Sequence, residues 1–118
     1  MSRTRALIVA AVVVVFVVAG GVLIYANQSR GGQAVTINVN VTGGTSMTPE
    51  SPTAHQNDKV TINMTSDTDG EVHLHGYDIP FEVKAGETVS RTFTADKTGN
   101  FLIEWEETSK ELGHLVVT

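Results

Sequence analysis

The stretch DGEVHLHGYDIPFEVKAGETVSRTFTADKTGNFLIEWEETSKELGHLVV, residues 69–117, decides the fold class. Short apolar runs recur along it, most of them closed by a turn signal. EVHLH ends at Gly76, PFEVKAGE turns at Ala85 and Gly86, TVSRTFTA is followed by DKTGN, and FLIEW and HLVVT are the last two runs. Runs of this length, spaced by about 8–12 residues and without a helical period, predict the strands of an antiparallel sandwich or Greek-key barrel.

The same pattern continues toward the N-terminus. KVTINMT, residues 59–65, alternates with Val60, Ile62 and Met64 as its inward set, and SDTDG after it is a strand-joining turn cluster. VTINVNV, residues 35–41, sets Val35, Ile37, Val39 and Val41 against Thr36, Asn38 and Asn40, the period of a strand buried on one face. Between the two, TGGTSMTPESPTAHQ, residues 42–56, is rich in Gly, Pro, Ser and Thr and reads as a long surface loop. The predicted domain is all-β and spans residues 34–118, about 85 residues, a size at which a single core closes with little to spare.

What precedes it is different in kind. After a basic start at residues 1–5, with Arg3 and Arg5, comes ALIVAAVVVVFVVAGGVLIYA, residues 6–26, which carries no charge. Roughly 20 such residues are enough to cross a hydrocarbon core as a single transmembrane helix. NQSRGGQ, residues 27–33, reads as a tether. Two arginines before the run and only Arg30 soon after it favour a cytoplasmic N-terminus and an extracytoplasmic C-terminal domain at the cell membrane. A cleaved signal peptide is the rival; its apolar region normally runs about 7–15 residues to a small-x-small site, of which IYANQ is a poor version. A buried core helix is the third reading of a run that has no polar face.

The chain contains no cysteine, hence no disulfide, no lipidated cysteine and no thiolate for a metal. Beyond Gly31, five cations (Lys59, Lys84, Arg91, Lys97 and Lys110) stand against thirteen Asp and Glu, a balance of −8 that disfavours a nucleic-acid partner. No serine lies in a nucleophile-elbow context and no Gly-rich phosphate loop opens a helix, so an enzyme is not expected. The sequons at Asn40 and Asn63 are of a kind frequent by chance, and both fall on predicted strands.

His73 and His75, two apart on a strand, share one face while Val72 and Leu74 take the other. Imidazole binds copper, zinc, nickel and iron, but a stable site gathers three or four donors from separated parts of the chain. An HxH pair on an acidic surface is also an ordinary solvated face. The acidic loop between the last two strands can return to the end where Gly76 sits, bringing Glu106, Glu107 and His114. Solvation alone accounts for Glu106 and Glu107 equally well. Trp105 reads as packing under that loop, Asp78 as a turn cap, Met64 as core, and Met47 as at most a soft ligand in a flexible loop.

Residues 69–117 resemble the C-terminal half of a bacterial cupredoxin-like domain, the cysteine-free type found alone or fused to periplasmic iron-uptake lipoproteins. They are also similar to the copper-carrying domain of cytochrome oxidase subunit II. Three marks carry the resemblance: the HGYD turn, the AGE…V…FTADKTG strand pair and the closing F-x-x-E…LG-x-LVV. It covers a little under half of the chain and implies a cupredoxin-like Greek-key β-sandwich in which His75 matches the first histidine ligand. A blue-copper site would add a Cys, a second His and an axial Met from the loop before the last strand, and EETSKELG has none of them. In the cysteine-free relatives a histidine often stands about where Glu106 stands, while His114, one step into the final strand, departs from the pattern.

The expected metal set is therefore His75, His73, Glu106 and His114, a nitrogen and oxygen set suited to copper as Cu(II), with Zn(II) as the alternative. The expected role is copper-type metal binding for storage, delivery or protection at the cell envelope. The alternative is a metal-free interaction module for a membrane-protein partner. Electron transfer would need donors from another chain.

Overall fold

In the computed structural model the described residues are 32–118, so the predicted segments at 1–5 and 6–26 and most of the tether lie outside them. No helix among the described residues is long and apolar enough to cross a membrane. The chain forms β1 (Ala34–Thr42), β2 (Ser46–Thr48), β3 (Thr53–Ala54), β4 (Lys59–Ser66), β5 (Gly70–Leu74), β6 (Ile79–Val83), β7 (Thr88–Thr94), β8 (Gly99–Trp105) and β9 (Lys110–Val117). They make two sheets, β2-β1-β4-β7 and β3-β9-β8-β5-β6.

The period-2 patterns work as read. Val39, Val41, Val60, Ile62 and Met64 from the first sheet meet Val72, Leu74, Phe81, Val83, Ile103, Leu115 and Val117 from the second, all nearly or fully buried. Their outward neighbours are polar, as expected when each sheet has one face on the core and one in water. The all-β two-sheet sandwich predicted from the sequence is the architecture observed.

Two expectations are corrected. The sandwich is not purely antiparallel: β1 runs parallel to β4 from Ala34↔Lys59 to Val41↔Ser66, and β3 runs parallel to β9. Parallel neighbours need a crossover. The segment between β1 and β4 supplies it, and this segment is not the surface loop that its composition suggested. It carries β2 on the first sheet and β3 on the second, and buries Met47 and Ala54 in the core. Strands of three and two residues are too short to display a period, and Met47 is thereby removed from the flexible-loop ligand reading.

The second correction concerns the acidic loop. β9 begins at Lys110, so the loop shrinks to a four-residue turn, 106–109, closed by Ser109 with φ 56°. A bulge between Ile103 and Glu104 shifts the β8–β9 register, and Leu112 beside it is buried. A bulge interrupts the alternation by one residue, which hid the start of this strand.

Asp58 is the one fully buried charged residue among those described. Its Oδ1 accepts from the Gln33 N–H at 3.2 Å and its Oδ2 from the His55 N–H at 2.9 Å, while its carbonyl accepts from the Ala95 N–H at 2.9 Å. One side chain thus ties the entry to β1 to the turn before β4, and its backbone adds the exit from β7.

Candidate metal centre

The site grows from the end of β5, where the chain turns over to β6. His73 stands on the outer face opposite Glu104 of β8, because Val72 and Leu74 take the core positions. His75 opens the turn, and its N–H still donates to the Leu102 carbonyl at 2.9 Å, so its backbone is held by the sheet. Gly76 follows with φ 85°, and a Cβ there would run into the Phe101 ring, so both backbone and space require glycine. Asp78, with φ 57°, is one of the residue types that tolerate the left-handed region.

Beneath the turn, Tyr77 packs on Phe93 and Phe101 with ring centroids 5.0 and 4.8 Å away. Its hydroxyl donates to the Lys97 carbonyl at 2.6 Å and accepts from the Lys97 N–H at 3.1 Å. The Lys97 ammonium lies 4.8 Å from the centroid of the Tyr77 ring and donates to the Gly76 carbonyl at 2.7 Å. The turn that presents the histidines is clamped from below.

Around the imidazoles the structure assembles carboxylates. His73 Nδ1 is 3.0 Å from Glu106 Oε2 and its Nε2 is 2.8 Å from Asp78 Oδ1. His75 Nε2 is 2.7 Å from Glu104 Oε1. The two rings have centroids 4.4 Å apart and are tilted by 51°. One donor atom from each of His73, His75 and Glu106 lies within 4.8 Å of the others, the one group of three or more metal-type donors among the described residues. Two ligands about 2 Å from one ion stand roughly 3–4 Å apart, so small side-chain adjustments suffice.

Burial of the His73 ring works against its proton. The hydrogen bond it donates to Asp78, with the negative charges of Glu106 and Asp78, outweighs that and holds its pKa above the usual 6.5. The His73 side chain is 19% exposed against 41% for His75, so one ring is anchored and the other open to water.

Of the predicted set, His73, His75 and Glu106 come together and His114 does not. β9 pairs with β8, not with β5, and His114 lies opposite Leu102. Two strand spacings, about 10 Å, separate it from β5, and its Nε2 is 3.5 Å from Glu111. Glu107 turns away as well, accepting from the Glu71 N–H at 3.2 Å. Glu104 and Asp78 were not foreseen as participants. Glu104 on β8 and Glu106 just past its end form an E-x-E that meets the H-x-H of His73 on β5 and His75 just past its end, and each histidine takes the carboxylate diagonal to it. Diagonal neighbours are within reach of long side chains. The E-x-E repeat was visible in the sequence; its register against the histidines was not.

A carboxylate on the far nitrogen of a metal-binding imidazole fixes its tautomer and orientation. With Nε2–H of His73 donated to Asp78 and Nε2–H of His75 donated to Glu104, the Nδ1 of His75 is left free and the Nδ1 of His73 faces the Glu106 carboxylate, where an ion shared by the two would take the place of a proton. Two imidazole nitrogens and one carboxylate oxygen, with no thiolate, form a donor set that fits Cu(II) or Zn(II).

No protein-family model matches the sequence, and no curated protein matches it. Solved structures do. A copper-binding protein determined in solution in its apo form aligns at TM-score 0.58 and 17% identity, over 77% of this chain and 93% of that one. A heme-copper terminal oxidase aligns at TM-score 0.58 and 14% identity, over 82% and 76%. The metal-binding domain of the Cu(I)-exporting P-type ATPase of Streptococcus pneumoniae, solved with Cu(I), aligns at TM-score 0.54 and 11% identity, over 74% and 97%. At such identities the likeness speaks for the fold: the described residues form a cysteine-free domain of cupredoxin-like fold.

Proposed function

We propose that the domain binds a copper-type metal ion, Cu(II) with Zn(II) as the competing ion, through His73, His75 and Glu106. The observation that carries this reading is the convergence of the three donors with a carboxylate held against the outer nitrogen of each imidazole. The names of its structural neighbours, a copper-binding protein and a Cu(I)-bound exporter domain among them, support it. Asp78 and Glu104 orient the rings, and the turn clamped by Tyr77 and Lys97 keeps them in place. An ion bound here would supply positive charge to a cluster of three carboxylates, Asp78, Glu104 and Glu106. The half-exposed His75 suits an exchangeable site and therefore storage, delivery or protection at the cell envelope, with residues 6–26 as the membrane anchor.

A metal-free interaction module is the second reading. It is favoured by one fact: each imidazole already has a carboxylate partner, so the face is held together without an ion. Titration of the full-length chain separates the two. The expected result is one equivalent of Cu(II) bound, with a nitrogen-ligated axial spectrum in electron paramagnetic resonance and with Zn(II) as a competitor. No submillimolar binding of either ion would leave the interaction module.

Acidity adds a second test. The raised pKa of His73 means that its protonated form stabilises the fold, fully below the unfolded value of 6.5 and progressively less as pH rises through the folded value. Metal binding needs the neutral ring and carries the opposite sign. As pH is lowered, apparent Cu(II) affinity is expected to fall by about tenfold per pH unit for each proton displaced, beginning above pH 6.5. An onset well below that value in a pH series of titrations would contradict the assignment of His73.

A further inference from the structure

The outer face of the four-stranded sheet carries a second surface with its own chemistry. None of the thirteen carboxylates of the chain lies in β1, β2, β4 or β7. The registers stack Thr36–Thr61–Thr92, Asn38–Asn63–Ser90 and Asn40–Thr65–Thr88 in three rows across β1, β4 and β7. Strands about 4.8 Å apart and outward residues about 6.8 Å apart make this a grid of hydroxyls and amides. Thr48 on β2 extends the third row, and Lys59 is the one cation on this face, at its edge.

The grid is internally ordered. Ser90 Oγ donates to Asn63 Oδ1 at 2.6 Å, and Asn63 Nδ2 donates to Asn38 Oδ1 at 3.0 Å. Thr65 Oγ1 donates to Asn40 Oδ1 at 2.9 Å, and the hydroxyls of Thr61 and Thr92 pair at 2.9 Å. Because their oxygens are engaged, Asn38 and Asn40 keep their amide N–H groups for an outside acceptor. A depression of about 360 Å³ lies over Asn38, Asn40, Asn63, Thr65 and Thr88, within the range of small-ligand sites.

The chemistry of the face selects its occupant. A protein partner needs an apolar or aromatic centre, a nucleic acid needs cations, and a lipid surface needs exposed apolar side chains. Apart from Lys59 at its edge, this face offers neutral donors and acceptors, in a domain whose carboxylates are gathered elsewhere. We infer that it binds a neutral, extended polysaccharide, whose hydroxyls match the rows without any charge to desolvate. Fixed amide orientations lower the ordering cost of binding, while the lack of aromatic rings for stacking keeps each contact weak.

Isotope-labelled full-length protein titrated with cellohexaose and maltohexaose provides the test, read by amide shifts. Saturable shifts confined to β1, β4 and β7, with a dissociation constant in the roughly millimolar range, are expected for at least one glucan. The isosteric Asn63→Asp, and separately Thr88→Lys at the rim, should each weaken binding about tenfold or more, since either desolvates a new charge. Both variants should retain parent Cu(II) affinity, and Thr88→Lys the parent urea midpoint as well, which separates this site from the histidine cluster. Absence of saturable shifts with both glucans, or shifts confined to the His73 face, overturns the inference. So does a dimer that Thr88→Lys dissociates, since the face would then be covered by a second copy.

Discussion

His73→Ala combined with His75→Ala is expected to remove Cu(II) binding altogether, and His114→Ala to leave it within about twofold. Loss of a partner that merely orients a metal ligand costs about 10–100-fold in affinity; loss of a ligand costs at least that, and two of three donors leave no site. The graded series follows from the geometry. Glu104→Gln and Asp78→Asn, which alter the groups at 2.7 and 2.8 Å from the two outer nitrogens, should each fall in the range of about 10–100-fold. Glu106→Gln should exceed them, because the carboxylate 3.0 Å from His73 Nδ1 is itself a donor. Competition titration against a chelator measures all of these. Equal losses for His114→Ala and His75→Ala would mean that the ion lies elsewhere on the acidic sheet.

Asp58→Ala is expected to produce the largest loss of stability of any single polar substitution in the described domain. The aspartate is fully buried, and its removal leaves the Gln33 and His55 N–H groups without acceptors. Orphaning a buried donor costs about 1–3 kcal/mol, so the sum for two is about 2–6 kcal/mol. A small domain has only about 5–15 kcal/mol in total. With a urea slope near 1 kcal/mol/M, the midpoint should drop by roughly 2 M or more. Asp58→Asn should recover only part, because its amide N–H₂ would confront one of the two donors. A drop smaller than about 0.5 kcal/mol, the range of a neutral surface change, would mean that the loops it joins are held by other contacts.

The sequence disclosed this fold where strands were long enough to repeat their period. Val60, Ile62 and Met64 announced β4, and Ile37, Val39 and Val41 announced β1, because seven or more alternating residues leave little ambiguity. Met47 could not announce β2: a three-residue strand offers one inward position, and its Gly, Pro and Thr neighbours look like any loop. Leu112 concealed the start of β9, since the bulge puts two successive residues on the core side, Leu112 and Gly113. That same concealment lengthened the apparent acidic loop and made His114 look able to reach the turn at Gly76. His73 and His75 were legible as a pair because strand geometry alone puts them on one face. Their carboxylate partners were not, since only the pairing of β5 with β8 says which glutamates lie diagonal to which histidine.

The interior place of β9 reaches into the folding process. It pairs locally with β8 but also with β3, and the hydroxyl of Thr118 meets His55 across a separation of 63 residues. β1 likewise waits for β4, and β4 for β7. A topology dominated by such distant pairings has a high contact order, which places folding in the milliseconds-to-seconds regime. In the five-stranded sheet β3 has no partner, and β8 has one edge open, until β9 has been made. During synthesis the HxH pair and its glutamates therefore exist first as an extended, unfolded segment, and the sheet that carries the site is completed only once β9 has joined it.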